Sequence, residues 1–272
     1  MSFVFRICLR LCVSFAVVSA AATKARRRDT PQHSHCLLSN DEKLALSLRK
    51  QVFDMVNSHY DAKYWKWQGQ GVDLGGKITA LLYEQYASSE STCVDFGCGS
   101  GTVLQNLKCK KKLGIEVNPH AQEGARNRSI NVVSTVAEVP DGFADLIVSN
   151  HALEHTPYPL ETLAHLRKKI RSRGKLVLCV PGLIDEKNYH EAHKHDDPNV
   201  DQHNHLYAWS PRNLANLLVA AGYQVASAKE IRYSRTYESD QAFLSGGADA
   251  FWKVAEQQNV HPQTCAVAEV PL

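Results

Sequence analysis

The chain has 272 residues, 44% of them apolar, which is enough to bury one sizeable core and requires no second one. Lys and Arg exceed Asp and Glu by 31 − 28 = 3, and part of that excess is Arg6 and Arg10 near the start, so the body is close to neutral. Phosphate-backbone binding needs a basic face; only short basic runs are present, which speaks against a nucleic-acid partner.

The first segment, residues 1–22, carries Arg6 and Arg10 and then runs apolar and small from Leu11 to Ala22, with no acid before Asp29. This is the pattern of a secretory signal peptide with a small-residue cleavage site at Val18-Ser19-Ala20. The apolar run is about a dozen residues, short of the roughly 20 that span a bilayer. With both arginines snorkelling, Phe3 to Ala22 would instead serve as an uncleaved membrane anchor, and an organellar transit peptide is a further alternative. The expected location is therefore the secretory pathway, lumenal or secreted, with a membrane-anchored or organellar protein as the alternative. Residues 23–38, with Lys24 and Arg26-Arg27-Arg28, read as a basic linker. Eight cysteines invite a disulfide framework in a secreted chain. Cys8 and Cys12, however, lie in the leader, and Cys93, Cys98 and Cys179 fall on or beside predicted core strands, so no framework is expected. Asn127-Arg128-Ser129 is a glycosylation sequon, a tripeptide common by chance.

Residues 39–90 read as N-terminal helices. Ser39-Asn40-Asp41-Glu42 has capping-box spacing, and Leu44, Leu48, Val52, Phe53 and Val56 follow at helical intervals, predicting a helix to about Asn57. The aromatic run from Tyr60 to Trp67 leads through Gly69, Gly71, Gly75 and Gly76 into a helix over about 77–86. Tyr64, Trp65 and Trp67 are expected to pack on the main domain. From 91 to 272 the pattern becomes regular, defining the main domain. Strands are predicted at 92–96, 112–116, 131–134, 144–149, 175–180, 223–229 and 264–270, and helices at 103–107, 119–126, 160–170, 211–221 and 248–258. Strand and helix alternating at this pitch predict an α/β fold: a doubly wound, mostly parallel seven-stranded sheet covered on both faces.

Val94-Asp95-Phe96-Gly97-Cys98-Gly99-Ser100-Gly101 follows a strand and opens a helix. Alternate glycines let the backbone turn sharply and approach a ligand, and the helix start presents free N–H groups. The spacing is GxGxG, with an acid two residues before the first glycine. Asp95 would repel a pyrophosphate but suits a ligand bearing an amino group and a sulfonium. The next strand ends at Glu116, placed to bridge two ribose hydroxyls.

Two acids bracketing the glycines in this order resemble the class I S-adenosylmethionine-dependent methyltransferases, specifically the type-11 branch. The likeness runs from about Asp73 to the C-terminus. Asp73-Leu74-Gly75-Gly76-Lys77 is similar to bacterial members. Phe143 to His155 looks like the family's fourth strand and following loop, Arg173 to Pro181 its fifth strand, and His205 to Tyr223 the approach to its sixth. The resemblance implies a Rossmann-like fold whose last strand is antiparallel, S-adenosylmethionine as cofactor, and methyl transfer to an acceptor (small molecule, glycan or protein) as the activity. By the same likeness Asp95, Gly97, Gly99 and Gly101 hold the methionine part and Glu116 the ribose. Thr135 and Val136, with Ala137 and Glu138, border the adenine, and Asn150 stands near the methyl group. Thr135 departs from the family in replacing the usual acid. A non-catalytic cofactor-binding interaction module and an NAD-dependent oxidoreductase are the competing readings.

His151, Glu154 and His155 share one face of a helical turn. His190, His193, His195, His203 and His205 crowd the segment after the fifth strand, which should overhang the carboxyl edge of the sheet. His155 and His205 are candidate general bases, because imidazole titrates near neutral pH. A metal bound by His151, Glu154, His155 and His205 is one alternative, similar to methyltransferase branches with a Glu-x-x-Glu-His motif except that His151 replaces the first acid, and a structural or surface role for the histidines is the other.

Overall fold

The computed structural model describes residues 39–68, 72–183, 204–233, 235–258 and 262–272. Two units divide the chain, Met1–Val56 and Asn57–Leu272. The leader, the possible anchor and the basic linker lie outside the described residues. In the first unit helix α1 (Asn40–Asn57) opens with the expected capping box. The Ser39 N–H donates to the Glu42 carboxylate at 2.8 Å, and the Glu42 N–H donates to Ser39 Oγ at 3.2 Å. No helix among the described residues is long and apolar enough to cross a membrane.

In the second unit, β-branched and apolar runs between turns form β1 (Thr92–Phe96), β2 (Lys111–Ile115), β3 (Asn131–Val133), β4 (Ala144–Asn150), β5 (Ile170–Pro181), β6 (Gln224–Ile231) and β7 (Gln263–Glu269). Helices α2 (Ala62–Gln68) and α3 (Val72–Ala80) precede them, and α4 (Thr102–Asn106), α5 (Pro119–Asn127), α6 (Pro159–Lys169), α7 (Pro211–Ala220) and α8 (Tyr237–Ala255) lie between them. The strands make one sheet in the order β3-β2-β1-β4-β5-β7-β6. β1 through β5 pair in parallel, and β7 runs antiparallel to both β5 and β6. This is the doubly wound sheet with an antiparallel last strand that the sequence predicts.

Both faces of the sheet are covered, because successive strand side chains point to opposite sides. Ile147, Leu176, Leu178 and Val180 bury against Leu163 and Leu166 of α6 and Leu214 and Leu218 of α7. Leu146, Val148, Val177 and Cys179 bury on the other side with Leu104 of α4, Ala125 of α5 and Tyr83. Trp65 lies over α5, where a Cβ on Gly124 would stand 3.5 Å from Trp65 Cζ2. Trp67 falls outside the residues whose side chains are described. The helix expected over 77–86 ends earlier, at Ala80, and a 3-10 turn forms at Glu84–Tyr86. The helix expected from 248 begins at Tyr237, capped by Thr236, and Gly247 (φ 72°) kinks it. That glycine hides the first half from a search for unbroken helical periodicity.

The expectation that the cysteines form no disulfide framework is overturned. Cys93 at the start of β1 is joined to Cys109, just before β2, and Cys179 of β5 to Cys265 of β7. The Cα atoms are 6.2 and 4.3 Å apart, and Cys179 and Cys265 are direct partners in the antiparallel register. A place on a core strand does not keep two cysteines from facing each other across strands; only pairing register decides it, and composition does not carry register. Cys98 is free and buried.

Candidate active site

The carboxyl ends of the parallel strands gather the predicted residues. After β1 the chain turns with Gly97, Gly99 and Gly101 all at positive φ (76°, 52° and 76°), a backbone that side chains disfavour. A Cβ on Gly97 would stand 2.4 Å from Ala152 Cβ, whereas a Cβ on Gly99 meets no atom within 4 Å. The glycines therefore do two jobs: Gly97 lets the turn pack on the loop after β4, and Gly99 leaves an open face. Gly101 then starts α4.

Two carboxylates bracket this turn. Asp95 is buried, 3% exposed; burial first, and then the like charge of Glu116, pushes its carboxyl up to about 8. Glu116, one residue past β2, is also raised by burial, while backbone N–H groups of Asn118, Gly99 and Val117 pull it back. Its Oε2 accepts from the Gly99 N–H at 2.9 Å and its Oε1 from the Asn118 N–H at 2.8 Å. The ribose candidate and the glycine turn are thus one hydrogen-bonded unit. Two buried acids of like sign beside an open glycine face favour a ligand with a positive group and hydroxyls.

Asn150 ends β4, and the Tyr83 hydroxyl donates to its Oδ1 at 3.1 Å and to the Ser149 carbonyl at 3.0 Å. Tyr83 is buried, and burial followed by the charge of Asp95 raises its hydroxyl well above the usual range. It stays a neutral donor that orients Asn150. The sequence shows Tyr83 only as one apolar position of a helix, and a contact across 67 positions has no local signal. Thr135 and Val136 stand at the tip of β3, Thr135 exposed and Val136 half-buried. Glu138 folds back to cap this turn, its Oε1 accepting the N–H groups of Ser134 and Thr135 at 3.0 and 2.8 Å.

Beyond Asn150, His151 adopts φ 50° and donates its N–H to the Cys179 carbonyl at 2.8 Å. A 3-10 turn (Leu153–His155) follows. Glu154 is fully buried there, and His151, His155 and His205 converge on it. The rings of His155 and His205 lie 5.0 Å apart, and Tyr60 meets His155 edge-on at 5.8 Å. His205 arrives there because Gly182 and Trp209 form a bridge at the end of β5, and the Leu206 N–H donates to the Glu154 carbonyl at 2.9 Å. His190, His193, His195 and His203 lie outside the described residues.

Residues 58–228 match the family model described as a methyltransferase domain. The chain is 25% identical over 173 residues to the malonyl-[acyl-carrier protein] O-methyltransferase of a Paenibacillus species, covering 62% of this chain and 59% of that one. It is 32% identical over 144 residues to the ribosomal protein L11 methyltransferase of Vibrio campbellii, covering 46% and 47%. It thus spans about half to three-fifths of the length of these curated relatives. Among solved structures it superposes on a chain of the complex between the Haloferax volcanii Trm112 methyltransferase activator and a methyltransferase, with a TM-score of 0.57 and 18% identity over 77% of this chain and 98% of that one. A sheet of this order with a glycine turn and acids at the tips of β1 and β2 defines a class I S-adenosylmethionine-dependent methyltransferase fold. The chain belongs to the methyltransferase-domain family.

Proposed function

We propose that this protein transfers a methyl group from S-adenosylmethionine to an acceptor atom, with Asp95, Gly97, Gly99 and Gly101 taking the methionine part, Glu116 the ribose, and Thr135 and Val136 the adenine. The observation that carries the reading is the bracket of two buried acids around a glycine turn with an open face. Bound there, S-adenosylmethionine supplies a methyl group on a sulfonium, and the carbon–sulfur bond breaks as the acceptor's lone pair forms the new bond. The protein's part is placement: holding an acceptor atom roughly 3–3.5 Å from the carbon it attacks, away from water. Asn150, fixed by Tyr83, faces that region at the tip of β4. The candidate bases His155 and His205 both turn Nε2 toward Glu154 Oε1, so the two imidazoles are committed to that carboxylate and act with it as one cluster.

Glu116→Ala tests the reading. Calorimetry should show S-adenosylmethionine binding weakened at least tenfold in a protein whose far-UV spectrum is unchanged; equal affinity would remove Glu116 from the site. Single-turnover transfer of labelled methyl separates an enzyme from a cofactor-binding module, and nicotinamide binding in its place would favour an oxidoreductase. The names of the relatives point to a carboxylate of a carrier-bound acyl group and to protein side chains as acceptor classes, and a glycan fits a lumenal enzyme equally well.

The same proposal places the protein in the secretory pathway. Its support is the leader pattern of residues 1–22 together with the Cys93–Cys109 and Cys179–Cys265 pairs, since disulfides persist in oxidising compartments. Asn127 of the sequon is exposed at the end of α5. N-terminal sequencing of protein recovered from its source cells should find a start near Ala21. Soluble protein that keeps Met1 would refute a cleaved leader.

A further inference from the structure

Three imidazoles converge on the carboxylate of Glu154. His151 Nδ1, His155 Nε2 and His205 Nε2 stand 3.5, 3.6 and 3.9 Å from Oε1. These separations are long for hydrogen bonds, whose usual N–H···O range ends near 3.2 Å. They approach the spacing of about 3.4 Å between donors that share one tetrahedral ion through bonds of about 2.0–2.2 Å. One donor atom from each of Glu154, His155 and His205 lies within 4.8 Å of the others.

The tautomer of His155 sharpens the point. Its Nδ1 lies 3.2 Å from the Asn204 carbonyl oxygen, and a carbonyl only accepts, so Nδ1 carries the proton. Nε2, the other ring nitrogen, faces a fully buried carboxylate oxygen. A ligand histidine whose other nitrogen donates to a backbone carbonyl is also how proteins orient metal ligands. The donors are held by backbone as well: the Leu206 N–H to Glu154 carbonyl bond fastens the segment carrying His205 to the turn carrying Glu154 and His155.

We propose that Glu154, His155 and His205 bind one divalent transition-metal ion, while His151 stands beside them at the more exposed edge without ligating it. Two imidazoles and a carboxylate suit zinc, and also cobalt or manganese, and three protein ligands leave a position open to an outside oxygen. Resting on the methyltransferase reading, that position lies beyond Asn150 on the acceptor side, so the acceptor class it fits is a hydroxyl or carboxylate. A bound ion would make the proton of such a hydroxyl easier to lose, to solvent. His155 and His205 then act as ligands, not as free bases.

The test uses the full chain, stripped with a chelator and titrated with Zn²⁺ against a chromophoric competitor and with Co²⁺ by visible absorption. One equivalent should bind, with the cobalt bands of a nitrogen–oxygen site. Glu154→Gln, His155→Gln and His205→Gln should each weaken it at least 100-fold, whereas His165→Gln on α6 should leave it unchanged. Should burial make Glu154→Gln misfold, His205→Gln, on a partly exposed side chain, carries the test alone. Absence of a tight equivalent, or a folded Glu154→Gln or His205→Gln protein that binds like the parent, overturns the site, because the ion would then be held elsewhere. S-adenosylmethionine affinity of the stripped protein is measured alongside and should persist. Its failure with metal binding intact would sink the methyltransferase reading and leave the metal site standing.

Discussion

Replacing Asp95 with Asn is expected to abolish a proton release that accompanies cofactor binding. With its carboxyl pushed up to about 8 by burial and by Glu116, Asp95 is protonated in the ligand-free protein at pH 6.5. A cationic ligand group favours the ionised form, so binding should expel roughly one proton per cofactor. Calorimetry in buffers of different ionisation enthalpy reads that number directly. Asp95→Asn should release none and bind about 10- to 100-fold more weakly, the worth of a hydrogen bond to a charged group. Stability should move the other way. An acid whose folded value exceeds its unfolded value of about 4 contributes most below pH 4 and loses that contribution as pH rises to about 8, here up to about 5 kcal/mol. The ligand-free parent should therefore lose melting temperature from pH 5 to pH 8, and Asp95→Asn should be flatter and more stable at pH 8. A parent curve that stays flat over that range would show that Asp95 is already ionised.

Cys265→Ser is expected to destabilise the fold more than any single surface change. The Cys179–Cys265 bond closes a loop of 86 positions and Cys93–Cys109 one of 16. In the chain-entropy account these loops are worth about 4–5 and about 3 kcal/mol. Denaturant unfolding of the parent, with and without reductant, should show a fall of that order, and non-reduced peptide mapping should recover both pairs. Equal midpoints in oxidised and reduced protein would mean that neither bond constrains the chain.

The strands along the chain, the mostly parallel sheet and the acid-bracketed glycine turn are legible from the sequence because each rests on a local pattern: a β-branched run, a glycine at every second position, an acid at a fixed offset. Thr92–Phe96 was read to the residue for that reason. What escaped depends on contacts between distant positions. Tyr83 holds Asn150 across 67 positions, Asn204 fixes the His155 ring across 49, and Cys179 meets Cys265 only once β7 turns antiparallel. Likewise, Glu138 caps the turn after β3 by accepting the Thr135 N–H, a contact made only because a 3-10 turn folds it back by three positions. The crowding of histidines is plain in the sequence, but the focus of His151, His155 and His205 on one buried carboxylate is a property of the fold.

The bridge between Gly182 and Trp209 gives the chain a fixed bracket at the end of β5. Both ends of the intervening segment are anchored at one point, and the Thr264 hydroxyl of β7 adds a bond to the Trp209 carbonyl at 2.7 Å. Leu206, three positions before Trp209, is thereby held where its N–H reaches the Glu154 carbonyl at 2.9 Å. The bracket thus sets where the chain rejoins the sheet, and through it the height at which His205 meets the turn that carries Glu154.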